Sequence, residues 1–114
     1  KDSFDQGQFE EAMGGFKEFL ERYPKSELAD NAQYWVGKCY MGLKKYDRAI
    51  AAGEDVKKKY PKGNKVPDAM LMQAMAFLEK GDETGARILL KRVIRAFPDS
   101  DQAKVAEQRL EALK

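Results

Sequence analysis

Residues 31–61 read NAQYWVGKCYMGLKKYDRAIAAGEDVKKKYP, and this stretch decides the fold. Its apolar residues recur three and four apart, as on one face of a helix, and the pattern is broken at Lys44-Lys45 and closed at Pro61. Two helices folded back on each other are the result. Incomplete copies flank this unit. Tyr23-Pro24, Tyr60-Pro61 and Phe97-Pro98 recur at a spacing of 37 residues, as do Ala12, Ala49 and Ala86, and Ala32, Ala69 and Ala106. Phe19, Val56 and Val93 hold a third apolar place in register, and Phe4, Met41 and Leu78 a fourth. A fixed period of this length without strand-like alternation marks a helical repeat array. The predicted class is therefore all-α, a solenoid of antiparallel helix pairs.

Working outward, the first residues correspond to the end of a helix. Shifted by one period, Lys1 to Phe4 take the places of Lys38 to Met41, and Gly7 is expected to turn the chain into a first full helix over residues 9–22. That helix carries Phe9, Ala12, Met13, Phe16, Phe19, Leu20 and Tyr23 on one face, and Pro24 ends it because the residue before a proline is pushed out of helical geometry. Ser26 is the expected N-cap of a helix over 27–43, with Ala29, Ala32, Val36, Cys39, Tyr40 and Leu43 inward. Trp35 flanks that stripe and reads as packing between repeats. Helices are expected over 46–60, 66–80, 83–97 and 101–113, the last with Ala103, Val105, Ala106, Leu110 and Leu113 inward and charge outside. The units are a truncated repeat over 1–24, repeats over 25–61 and 62–98, and a capping helix in 99–114. Gly53 breaks the pattern, because Phe16 and Leu90 stand at its place in the other units. Either a neighbour such as Trp35 or Phe77 fills the space, or the middle repeat is soft.

Of the chain, 43% is hydrophobic and 35% charged, enough to seal helix seams and coat the outside. Net charge is +2, from 21 basic and 19 acidic residues that are interspersed. The only basic run, Lys57-Lys58-Lys59, lies at a helix C-terminus, where it complements the dipole, so no nucleic-acid partner is expected. There is no histidine and one cysteine, Cys39, on an apolar helix face; this predicts no metal site, no cofactor and no disulfide. Catalysis needs a base beside a nucleophile or paired carboxylates, and Glu10-Glu11 and Glu54-Asp55 are sequence neighbours that point apart on helices. The chain is read as a non-enzyme. No apolar run reaches the ~20 residues that span a bilayer, so no direct membrane insertion is expected.

Val36-Gly37, Tyr40, Tyr46, Ala49 and Pro61 hold the spacing of the tetratricopeptide (TPR) pattern, in a unit three residues longer than the usual ~34. A more specific likeness covers nearly the whole chain. Tyr34-Trp35-x-Gly37, Lys80-Gly81-Asp82 and Phe97-Pro98-Asp99-Ser100 at this register resemble the C-terminal TPR domain of the Tol-Pal-associated YbgF/CpoB family. The resemblance implies a right-handed superhelix and a periplasmic protein with an export signal and a trimerising N-terminal coiled coil outside this stretch. It also implies association with TolA, and a role coordinating outer-membrane constriction with peptidoglycan synthesis during division. Gly53 and Lys57 depart from the family's apolar tendency. The alternative is a TPR scaffold of outer-membrane protein assembly, of the barrel-assembly lipoprotein type.

In TPR stacks the first helix of each pair lines the concave side, which places a peptide or protein groove on Phe4, Asn31, Tyr34, Lys38, Met41, Asp68, Leu71, Met75, Leu78 and Gln108, with Lys1 and Val105 beside them. Spacing supports this independently, since Tyr34, Lys38 and Met41 share a face rotated away from Val36, Cys39 and Tyr40. Methionine adapts to irregular shapes and suits such a groove. Only Asn31 and Lys38 resemble the residues of a carboxylate clamp. The domain itself is expected to be monomeric or weakly self-associating, through apolar residues at its first helix.

Overall fold

Residues 2–113 are described in the computed structural model, with side chains from Gln6 onward. They form α1 (Asp2–Arg22), α2 (Ala29–Gly42), α3 (Tyr46–Lys59), α4 (Val66–Glu79), α5 (Glu83–Ala96) and α6 (Asp101–Ala112), with no strand among them. Each helix packs on the next. Beyond that, α2 touches α4 and α4 touches α6, whereas α1, α3 and α5 make no close backbone approach to one another. The chain therefore curves. The first helices of the pairs (A helices α2, α4 and α6) lie together on the inner side, and the second (B helices α1, α3 and α5) splay along the outer side. The extents of 40 × 35 × 19 Å describe a slab of stacked layers, as expected of a TPR-like solenoid.

The turns repeat as faithfully as the helices. Within each pair, the N–H of Lys44 bonds the Met41 carbonyl and that of Lys45 the Tyr40 carbonyl; Gly81 and Asp82 do the same to Leu78 and Phe77. This double bond pattern closes a helix through a left-handed residue, and both Lys44 (φ 61°) and Gly81 (φ 84°) adopt that conformation. A lysine there strains against its own Cβ, which glycine lacks. Lys44→Gly is expected to raise stability by up to about 1 kcal/mol and Gly81→Ala to lower it by about 1 kcal/mol, read from urea unfolding. Between pairs, Ser26, Gly63 and Ser100 each donate a backbone N–H to the aromatic carbonyl three residues back.

Gly7 stands at the register of Lys44 and Gly81, yet α1 runs straight through it. The expected turn is absent because Gly7 does not take the positive φ that its two counterparts take. Phe4 and its neighbours thus continue α1, and their side chains lie outside the described residues. Ser26 does not cap α2 directly. Its Oγ accepts from the N–H of Leu28, 3.1 Å away, and so holds the turn before the helix. Asp82 and Ser100 do cap α5 and α6, accepting from Gly85 and Ala103.

The core follows the register. Ala29, Ala49, Val56, Ala69, Ala86, Leu90, Val93 and Ala106 are all fully buried. Met72 and Ala74 join them without having been anticipated, while Val105, expected inward, is exposed. The side-chain atoms nearest to Gly53 belong to neither Trp35 nor Phe77. The Gln73 side chain lies on it, so that a Cβ at Gly53 would meet Gln73 Cγ at 2.7 Å. Gln73 is 2% exposed, and its Nε2 donates to the Ile50 carbonyl at 2.9 Å. An amide has taken the aromatic's place.

Candidate protein-interaction surface

The A helices set the inner face. Asn31, Asp68 and Val105 share one register place, Tyr34, Leu71 and Gln108 a second, and Lys38 and Met75 a third, with Met41 and Leu78 in a fourth row. Because successive A helices touch, these rows cross α2, α4 and α6. Tyr34, Met41, Leu71, Met75 and Leu78 are half-buried; Lys38 and Gln108 are exposed. Half-burial leaves each apolar side chain one packed flank and one open flank, which is what a groove wall requires.

A polar chain ties the three layers at one end of this face. Lys65 Nζ lies 5.3 Å from the centre of the Tyr34 ring and 3.9 Å from Asp68 Oδ2, and Gln102 Nε2 donates to Asp68 Oδ1 at 3.0 Å. Burial, with the Asp68 charge second, pushes the Tyr34 hydroxyl above its ordinary pKa, so it stays a neutral donor at physiological pH. Asn31 Oδ1 is buried and has no hydrogen-bond partner. Lys65 and Gln102 were not anticipated. Their positions precede or open A helices, where side-chain periodicity carries no information about a cross-repeat contact.

The outer side carries clefts between the splayed B helices. One of about 320 Å³ includes Lys17, Tyr40, Arg48 and Asp55. The next, of about 300 Å³, is lined at corresponding places by Glu54, Phe77, Gly85 and Arg92. Lys17 Nζ bonds Tyr40 Oη at 2.9 Å, and this cation holds the phenol below its ordinary pKa. The clefts alternate charge from one layer to the next and offer no continuous track.

A different feature stands at the first layer. Ala12, Gly15, Phe16, Phe19, Leu28, Asn31, Ala32 and Trp35 line an open slot of about 470 Å³ without one charged side chain. Phe16 stacks on Trp35 at 6.5 Å, and Tyr34 meets the indole edge at 5.5 Å. Trp35 packs on α1, yet it stays 44% exposed, and Leu28 is 56% exposed. Ala12, Phe16, Phe19, Ala32 and Trp35 are residues expected to pack and Asn31 one expected in the groove, while Gly15 and Leu28 carried no expectation. Among the described residues, no helix lies on the face of α1 that corresponds to the one α2 covers in α3.

Cys39 is buried, which raises its thiol above the ordinary pKa and keeps it from acting as a thiolate. Among the described residues, no three of His, Cys, Asp or Glu gather to hold a metal ion. No helix among them is long and apolar enough to cross a membrane.

A family model described as YfiO, outer membrane lipoprotein, matches residues 1–114. No curated protein matches the chain.

Proposed function

Because this chain belongs to the YfiO outer membrane lipoprotein family, we propose that it is a non-enzymatic scaffold of the bacterial envelope whose A-helix face grips a segment of another envelope protein. The observation that carries this reading is the packing asymmetry, in which A helices touch and B helices splay. It puts Tyr34, Met41, Leu71, Met75 and Leu78 on one inner face as half-buried apolar side chains, with Lys38, Asp68 and Gln108 between them. Apolar pockets separated by polar groups suit an extended or helical peptide, which needs burial for affinity and hydrogen bonds for register.

The finer reading follows the YbgF/CpoB resemblance. The partner is then TolA-like, the location periplasmic, and the role coordination of envelope constriction with wall synthesis, in a full-length protein trimerised through a coiled coil. A second reading is a scaffold of outer-membrane protein assembly, and the outer membrane lipoprotein description of the matching family favours it.

Capture from envelope extract tests both. The parent domain is expected to retain a specific partner, and Tyr34→Ala with Leu71→Ala to lose it while remaining helical by circular dichroism. Each truncation removes a half-buried contact of the kind that dominates interface energy, so retention should fall at least roughly tenfold. Equal retention by parent and double variant would overturn the groove. TolA in the eluate supports the first reading; components of barrel assembly support the second.

A further inference from the structure

The second outer cleft, between α3 and α5 over α4, has an internal template in the first. Its walls α3 and α5 each have a helix packed before and after them, so it belongs to the body of the stack. Tyr40, Arg48, Ala51 and Asp55 in the first cleft stand at the register of Phe77, Gly85, Ile88 and Arg92 in the second. Lys17, at the place of Glu54, holds its Nζ 5.3 Å from the centre of the Tyr40 ring. In the first layer the chain thus covers the ring with its own side chain. Among the described residues no cation lies over the Phe77 ring, and Gly85 has no side chain to reach it. The second cleft therefore presents an apolar lining of Ile50, Phe77, Ile88 and Leu89 around about 300 Å³. Of the large apolar residues left exposed, Tyr23, Leu28 and Trp35 belong to the first layer and Val105 to the inner face. Ile88, 53% exposed, belongs to neither.

The charges of this cleft are unequally committed. Glu54 is held by Lys57 at 3.2 Å, whereas Arg92 has no carboxylate within ion-pair distance among the described residues. One carboxylate against two cations leaves a spare positive charge beside an apolar surface, where it attracts an anion more strongly than in open water. We infer that the cleft takes one large apolar side chain of a partner protein that has an acidic residue next to it in sequence. The apolar side chain covers Phe77 and Ile88, and the carboxylate pairs with the Arg92 guanidinium, whose planar fork can offer it two N–H donors. The volume is at the small end of ligand sites and admits one residue, not a helix. A basic neighbour is disfavoured, because it would meet Arg92 and Lys57 as like charges. The cleft lies on the outer side of the stack and does not depend on the function proposed for the inner face.

The probe is the tetrapeptide Gly-Phe-Asp-Gly, acetylated at one end and amidated at the other so that its only charge is the aspartate. Titrated into nitrogen-15-labelled protein, it is expected to shift the amide signals of Gly85, Ile88 and Arg92 with saturation, at a Kd on the order of 1 mM. Peptides with glycine in place of phenylalanine, or lysine in place of aspartate, are expected to bind at least roughly tenfold more weakly. Arg92→Gln in the protein removes the spare charge and should weaken binding roughly fivefold or more. Ile88→Glu, at an exposed site, should stay helical by circular dichroism and abolish binding. It removes apolar lining and sets a carboxylate four residues before Arg92, where it pairs from within. Tyr34→Ala with Leu71→Ala, which disables the inner face, should leave the affinity within about twofold. The inference is overturned if the three signals do not move, if the lysine peptide binds as well as the aspartate one, or if Arg92→Gln binds as well as the parent. It is also overturned if the same signals move with protein concentration alone, because the occupant would then be another copy of this chain.

Discussion

Gly53→Leu is expected to lower the melting temperature by on the order of 10 °C, equivalent to about 2–3 kcal/mol. Glycine inside a helix ordinarily gives up about 1 kcal/mol to alanine, so the naive expectation is a gain. Here the added Cβ would stand 2.7 Å from Gln73 Cγ and 3.0 Å from Cδ. The amide must leave, and its bond to the Ile50 carbonyl breaks in a place closed to water. Pairing the change with Gln73→Leu copies Leu90 and Leu110, which stand at the same two places one layer on. It also removes the unpartnered Gln73 Oε1. The double variant is expected to recover the parent's stability or exceed it. If it melts no higher than Gly53→Leu alone, the clash is not the cause.

The second large effect separates two residues that share a register place. Leu90 is fully buried, and Leu90→Ala is expected to cost about 3 kcal/mol in urea unfolding, from lost burial and the cavity left behind. Phe16 occupies the same place in α1 but faces the open slot, so Phe16→Ala is expected to cost only about 1 kcal/mol despite removing a larger side chain. Equal losses would mean that the slot is closed in solution.

How far the sequence could be read follows the range of each interaction. The period places Ala49 with Ala86 and Val56 with Val93, and each pair is buried as one, because burial in a stacked repeat depends only on neighbouring layers. Capping of α5 by Asp82 is a contact of the same short range, its partner lying three residues away, whereas Ser26, expected to cap α2 on the same signal, only holds the turn before it. The Gln73 amide over Gly53 was not. Twenty residues separate them, and a glutamine on an apolar face gives no sign of the carbonyl that satisfies it. Gly7 misled because its place in the register matches a turn, while its conformation depends on what packs against that end. The register alone sets the rows of A-helix residues, but not the hold of Lys65 on Tyr34 or of Gln102 on Asp68, since long side chains reach across layers irrespective of helix phase.

The contrast between touching inner helices and separated outer ones has a mechanical consequence. A stack joined tightly along one edge and loosely along the other bends like a leaf spring, pivoting on the joined edge. Drawing the outer helices together would take up cleft space of about 300 Å³ per layer and disrupt little tight packing. Compliance is therefore greatest in the motion that flattens or deepens the inner curve, the motion by which the groove proposed above would widen or narrow.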